Sequence, residues 1–258
     1  MGFVRTDTEL DQYFERSIRE FPGAEILGMM YETEPEIVAR VLPSPLEPAM
    51  EPWALCFVAH YPVTNLGPGY HEGALFVRCQ FQGEVGNYCL SMPIDDEARM
   101  HNGRDIYGFP KKLATIRLKR DGKRVEGSIE RLGHRFVTLR ADLMGTMDQL
   151  PIKLGPTFLF KYSPSADLGR GFDGPIFLVR QRTEIEMTRF EMGTGEIEFK
   201  DSPHDPWSEI RVKNIMAAYY LVSTNRMMPG KVVGEADPEA FLPYSFLKTD
   251  FMADFEND

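Results

Sequence analysis

Apolar positions recur at helical spacing chiefly near the start of the chain. Leu10, Phe14 and Ile18 fall on one helix face, and Thr6 with Glu9 three residues later supplies a capping box. A second short helix is predicted to start at Pro35, a residue suited to a first turn, and to end before Pro43. From Trp53 onward the pattern changes to short runs rich in Val, Phe, Leu and Thr, separated by Gly, Pro and Asp. These runs predict strands at 53–60, 74–81, 88–92, 115–119, 125–131 and 135–143. Arg120-Asp121-Gly122-Lys123 between two of them is a hairpin signal, because Asp-Gly tolerates the positive φ of a tight turn. Met192-Gly193-Thr194-Gly195 predicts a second hairpin tip, and further strands are predicted at 157–162, 176–182, 184–190 and 197–200. Segment 210–222 fits a helix or a long buried strand; Ile215, Tyr219 and Val222 lie at helical spacing and favour the helix. Segment 95–100 has the acidic first turn of a short helix and runs into the glycine-containing stretch 102–114. With no repeat, low-complexity tract or linker, the economical fold is one mainly antiparallel β domain (α+β) over 1–258 with short peripheral helices.

Composition narrows the function. A chain of 258 residues, 43% apolar, can bury a substantial core. Its formal charge of -10 argues against a nucleic-acid partner, which needs clustered Lys and Arg. No segment reads as a secretory signal or a membrane span, so a cytoplasmic location is expected. Cys56, Cys79 and Cys89 lie in apolar, strand-like runs and lack zinc spacing, which suits buried thiols in a reducing compartment.

The chemistry concentrates in Tyr107-Gly108-Phe109-Pro110-Lys111-Lys112-Leu113. Most Lys-Lys pairs are solvated surface, but here Pro110 holds Phe109 extended. Tyr107, Phe109 and Lys111 should then project to one side, and Gly108 and Lys112 to the other. An amine attacks a ketone only as the neutral base. An ordinary lysine loses its proton near pH 10.4, so service near neutrality requires about 4 to 5 kcal/mol of differential stabilisation. A second ammonium about 6 Å away supplies only about 0.7 kcal/mol in water and about 2.8 kcal/mol at an effective dielectric near 20. Desolvation must therefore be the larger influence on Lys111, with Lys112 a secondary one.

The segment Asn102-Gly103-Arg104-Asp105 through Ala114 resembles the signature of the acetoacetate decarboxylase family, in which a Gly-Arg-acidic triplet precedes an aromatic-Pro-Lys-Lys segment. Tyr31, Leu42-Pro43-Ser44-Pro45-Leu46 and Leu66-Gly67-Pro68-Gly69-Tyr70-His71-Glu72 extend the likeness upstream, so that it covers most of the first half. The resemblance implies a sheet closed into a barrel or cone with the lysine inside. It gives Lys111 the imine-forming role, Lys112 that of neighbouring cation, and Glu72 that of pocket carboxylate. Activation of such a lysine by desolvation or an adjacent cation is the general chemistry of this family. Arg104 matches the family's arginine before the loop, and Phe109 is expected beside the substrate. His71 competes with Glu72 for the pocket, since neighbours on a strand face opposite ways. Relatives with aldolase-dehydratase activity carry a tyrosine near the C-terminus, which makes Tyr244 a substrate-binding candidate.

Two positions depart from the family. Its arginine before the first tyrosine-containing strand falls near Ala24, and its second glutamate near Cys56 or Phe57. These losses favour aldol condensation and dehydration of a pyruvate-like acid over decarboxylation of acetoacetate or another β-keto acid. The resemblance further implies a small keto-acid substrate, no cofactor and a homo-oligomer, tetramer or larger. Other readings are weaker. Gly67–Gly73 lacks the glycine spacing and following helix of a phosphate loop, and His60, His71 and Glu72 are spaced too widely for a convincing metal site. Phe158, Phe160 and Tyr162 alternate along one strand and read as core. A non-catalytic ligand-binding barrel is the alternative from another class.

Overall fold

The computed structural model describes residues 2–148, 154–167 and 169–250. Chain order is α1 (Asp7–Glu15), β1 (Arg19–Glu32), α2 (Pro35–Val41), β2 (Glu47–Pro48), β3 (Trp53–Thr64), β4 (Gly67–Phe81), β5 (Glu84–Ile94) and α3 (Glu97–Asn102). A π-helical turn at Gly103–Tyr107 leads to β6 (Lys111–Leu113), β7 (Thr115–Asp121), β8 (Arg124–Arg131), β9 (His134–Thr146), β10 (Thr157–Lys161), β11 (Ile176–Gln181) and β12 (Thr183–Phe199). A short 3-10 turn precedes β13 (Asn214–Met227) and β14 (Lys231–Ala236), and the described chain ends in α4 (Pro238–Phe241) and the 3-10 segment Leu242–Lys248. The protein is mainly β with few helices.

All fourteen strands belong to one sheet, whose path runs β14-β11-β10-β5-β4-β3-β1-β13-β12-β9-β8-β7, with β2 and β6 as side branches. Pairing is antiparallel except for β10 and β6, each of which lies parallel to β5. The sheet curls, so that β8 packs over β3: a Cβ at Gly127 would sit 2.8 Å from Val58 Cβ.

The strands nearest the middle are buried on both faces. Leu27, Met29, Cys56, Val58, Leu75 and Val77 enter one apolar core. Their neighbours Ile26, Met30, Leu55, Ala74 and Phe76 enter a second. Two-sided burial explains why these runs are almost continuously apolar rather than alternating.

Two expectations need correction. Segment 214–227 is a strand, paired with β1 on one side and β12 on the other. Alternate residues Ala217, Tyr219 and Leu221 fill one core while Ala218 and Tyr220 fill the other, so the helical spacing of Ile215, Tyr219 and Val222 is coincidental. Met192-Gly193-Thr194-Gly195 lies within the 17-residue β12. Its glycines mark a bulge and a close approach, a Cβ at Gly195 reaching within 2.5 Å of Ala218 Cβ. Segments 184–190 and 197–200 are accordingly parts of one strand.

α1 forms where the sequence places it. Its capping box forms as expected, yet none of its residues is buried, and Leu10 and Phe14 are 40% and 68% exposed. The helix is held by its cap and by Arg19, whose guanidinium lies 5.3 Å from the Tyr13 ring centroid. The hairpin between β7 and β8 forms with Asp121 opposite Arg124 and Gly122 at φ 58°.

Candidate active site

Two neighbouring strands and one turn build the site. In β4 the side chains of Tyr70, Glu72 and Phe76 face the second core, which period-two alternation requires once one of them does. Glu72 is 5% exposed, with Ala59 of β3 and Ile94 of β5 opposite it.

The chain leaves β5 through α3, capped by the Asp96 carboxylate accepting from Arg99 N at 2.8 Å, and then winds into the π turn. Gly108 ends that turn at φ 92°, a left-handed conformation suited to glycine, and a Cβ there would meet the Phe160 carbonyl carbon at 2.7 Å. Its N–H donates to the carbonyls of Gly103 and Arg104, both at 3.1 Å. This reversal lets Pro110 and Lys111 run beside β5, with Lys111 opposite Met92.

Lys111 is 5% exposed, and its Nζ donates to Glu72 Oε2 in a close ion pair. Nζ also lies 5.5 Å from the Phe109 ring centroid, and the Tyr107 and Phe109 rings meet edge to face at 6.1 Å. The lysine stem packs against Gly103, where a Cβ would stand 2.6 Å from Lys111 Cδ. Lys111, Glu72 and Phe109 all border a cavity of about 220 Å³.

The walls are mostly apolar, with Phe21, Ile26, Leu55, Phe57, Met92 and Leu221 among them. Burial, followed by the nearby Glu72 charge, pushes the Tyr61 and Tyr70 phenols well above their usual range. Both rings line the cavity, and both therefore remain hydroxyl donors at neutral pH. Burial, and then the neighbouring Cys56, push the Tyr219 phenol up as well, and that ring also lines the cavity.

Two arginines that no sequence motif marks as site residues also border this space, Arg19 and Arg99. Arg19 opens β1 and is 8% exposed. Arg99 donates through Nη2 to the Leu66 carbonyl at 2.8 Å and pairs with Asp96 at 3.3 Å, whereas its buried Nε has no hydrogen-bond partner. Arg99 read in sequence only as part of a short helix. The signal available was its spacing, one turn before the Gly103 that packs on Lys111.

The remaining expected site residues lie elsewhere. Lys112 points away from Lys111, as alternation requires, and binds the His204 carbonyl at 2.7 Å, Asp250 at 3.0 Å and Asp205 at 3.3 Å. Arg131 joins the same two carboxylates at 2.7 Å each. With its charge matched by these carboxylates, Lys112 is poorly placed to repel an ammonium at Lys111 and acts as a structural cation.

His71 turns to the opposite face from Glu72, pairs with Asp95 at 2.8 Å and stacks on His60 with centroids 4.4 Å apart. The Tyr244 hydroxyl donates to the Arg40 carbonyl at 3.2 Å, outside the cavity. Arg104 lines a separate cleft. Ala24 is fully buried, Cys56 enters the first core and Phe57 lines the cavity, so among the described residues Glu72 is the only carboxylate bordering it. Arg19 opens the strand that carries Ala24 and borders the cavity. Among the described residues no group of three or more His, Cys, Asp or Glu could hold a metal ion, and no helix is long and apolar enough to cross a membrane.

A buried lysine and glutamate in an apolar cavity within one curled sheet define a class that comparison with known proteins identifies. The acetoacetate decarboxylase family model matches residues 5–236, and the chain belongs to that family. The acetoacetate decarboxylase of Burkholderia vietnamiensis is 27% identical over 223 residues, covering 83% of this chain and 87% of the relative. The solved acetoacetate decarboxylase of Legionella pneumophila superposes with a TM-score of 0.76 at 22% identity, over 91% of this chain and 99% of that one. The enduracididine biosynthesis enzyme MppR, solved with pyruvate, superposes with a TM-score of 0.71 at 19% identity, over 84% of this chain and 90% of that one.

Proposed function

We propose that this chain is a lyase in which Lys111 forms a Schiff base with a small keto acid and Glu72 moves the protons. The observation that carries the proposal is the buried contact between Lys111 Nζ and Glu72 Oε2 at the wall of an apolar cavity. An ammonium cannot attack a carbonyl, but its proton can pass along this contact to the carboxylate. The result is a neutral amine and a neutral carboxyl, with no net charge left buried. The amine adds to the keto carbon, water leaves, and the protonated imine becomes an electron sink.

The step that follows is read as aldol condensation and dehydration. Glu72, again a carboxylate, removes a proton from the carbon next to the imine. The resulting enamine attacks an aldehyde, the new alkoxide takes a proton, and water is lost. Hydrolysis then frees a conjugated keto acid and restores Lys111. The cations at the wall favour this course over loss of CO₂. A carboxylate held by Arg99, with its unused Nε–H, or by Arg19 is stabilised as an anion, whereas decarboxylation requires that charge to drain away. The pyruvate printed for MppR fits the same reading.

Decarboxylation of a β-keto acid is the second reading, favoured by the curated relatives, which are acetoacetate decarboxylases. The curl of the sheet, with β8 over β3, supports the cone-like barrel around Lys111. A homo-oligomer in the cytoplasm belongs to the same proposal.

The test supplies pyruvate with an aromatic aldehyde and, separately, acetoacetate, following ultraviolet absorbance and released CO₂. Growth of a conjugated product that disappears in Lys111→Ala is the expected result. Lys111-dependent CO₂ release without condensation would replace the aldol reading with decarboxylation. Inactivity in both assays would favour a ligand-binding barrel.

A further inference from the structure

Behind the π turn lies a second cleft, of about 460 Å³, on which three cations converge. Arg104 comes from the turn, Lys161 from the end of β10, and Lys248 from the closing 3-10 segment. Each is half-buried. Among the described residues none of the three side chains makes an ion pair or hydrogen bond. Lys248 instead rests its ammonium 4.2 Å from the Tyr162 ring centroid, while the Tyr162 hydroxyl donates to the Ser245 carbonyl.

Two carboxylates also border the cleft. That of Asp173 already accepts from Ser165 Oγ at 3.2 Å and from Ala166 N at 2.9 Å, and Asp105 is exposed. Burial and then repulsion from Arg104 bring Lys248 down to about 8, with Lys161 adding to the effect and Asp105 opposing it. Cations that serve only solubility spread into water, where repulsion is screened. Three half-buried cations facing one concavity repel one another and are relieved by an anion bound between them.

We propose that this cleft is a binding site for a phosphate group, free or carried on a small organic molecule. Three donors approaching from three chain segments match the several oxygens of a phosphate better than the two of a carboxylate. The space exceeds that of the bare anion and leaves room for an organic portion. The site is independent of the imine chemistry, since Arg104 lies beyond Gly103, the residue that packs on Lys111.

The test is titration calorimetry of the full chain at pH 8, at constant ionic strength, with inorganic phosphate and with glycerol phosphate as probes. Saturable binding is expected, weakened at least about tenfold in Lys161→Ala/Lys248→Met and in Arg104→Gln, and unchanged in Lys111→Ala. Binding should also take up protons, seen as a dependence of the heat on buffer ionisation, because an anion beside Lys248 refills its ammonium form against Arg104 and Lys161. Equal affinity for the two probes assigns the phosphate group alone, and tighter binding of the ester assigns an organic phosphate. Absence of saturable heat with both probes, or equal affinity in wild type and in folded Arg104→Gln, would overturn the proposal.

Discussion

Gly103→Ala separates catalysis from stability. At φ -65° and ψ -43° the Gly103 backbone is right-handed helical, so alanine is allowed there and is favoured by about 0.5 to 1 kcal/mol through reduced chain entropy. Its Cβ, however, would lie 2.6 Å from Lys111 Cδ and closer still to Cε. Ordinary carbon contacts fall at about 3.5 to 4.0 Å, so the lysine stem must shift by about 1 Å or more. Lys111 can shift because it borders the cavity, and the fold is therefore largely spared. A misplacement of about 1 Å at a reacting group costs about 100-fold in rate, or about 2.7 kcal/mol of transition-state stabilisation. Steady-state kcat/KM on whichever keto acid the wild type accepts, paired with a thermal melt, reads both effects. The expected variant melts within a few degrees of wild type and turns over about 100-fold more slowly. Wild-type turnover in a folded variant would refute the placement of Lys111 as the reacting amine.

Glu72→Gln keeps the shape of the side chain but removes the proton acceptor, so kcat should fall by about 10²- to 10⁴-fold, measured in the same assay. Asp205→Ala strips a buried carboxylate from both Lys112 and Arg131 and should destabilise the protein by about 3 to 5 kcal/mol in urea unfolding. A loss under about 1 kcal/mol would show that the pairs are dispensable. Cys56, Cys79 and Cys89 are buried and free, and burial pushes all three thiols up, Cys79 to about 12. None should react with a thiol reagent at pH 8 in the native protein, and all three should react after denaturation; stoichiometric native labelling would contradict that burial. Asp250 is held below the ordinary carboxylate range by Lys112 and Arg131, against the opposing effect of its own burial. A depressed carboxyl stabilises the fold above its unfolded pKa, and that contribution is lost as pH falls through the folded value. Wild type should therefore lose more melting temperature than Asp250→Asn on acidification below about pH 4.

What could be read from the sequence was local. The Pro110 geometry and strand alternation placed Phe109 beside Lys111 and sent Lys112 the other way, and the glycine, proline and β-branched punctuation located most strands. β3 runs beyond its buried apolar stretch because backbone pairing with β4 continues through the exposed Pro62 and Val63, which add nothing to the core pattern. β13 was misread because a strand buried on both faces loses its alternation, and three apolar residues then fit a helix by chance. Arg19 and Arg99 were missed for another reason: the successive pairings of β1 with β3, β3 with β4 and β4 with β5 carry α3 to the same cavity as Arg19, 80 positions away in sequence, and no local pattern encodes that. The role given to Arg104 came from its place in a motif and that of Tyr244 from a C-terminal tyrosine in relatives, and the fold sends both side chains outside the cavity that holds Lys111.

The proposed reaction depends on a bond between Lys111 and substrate. Incubation with pyruvate, and in parallel with acetoacetate, followed by borohydride and peptide mass spectrometry, tests it directly. A reduced adduct on the peptide carrying Lys111, absent from Lys111→Arg, is the predicted result; no adduct with either acid, or an adduct confined to another lysine, would contradict it.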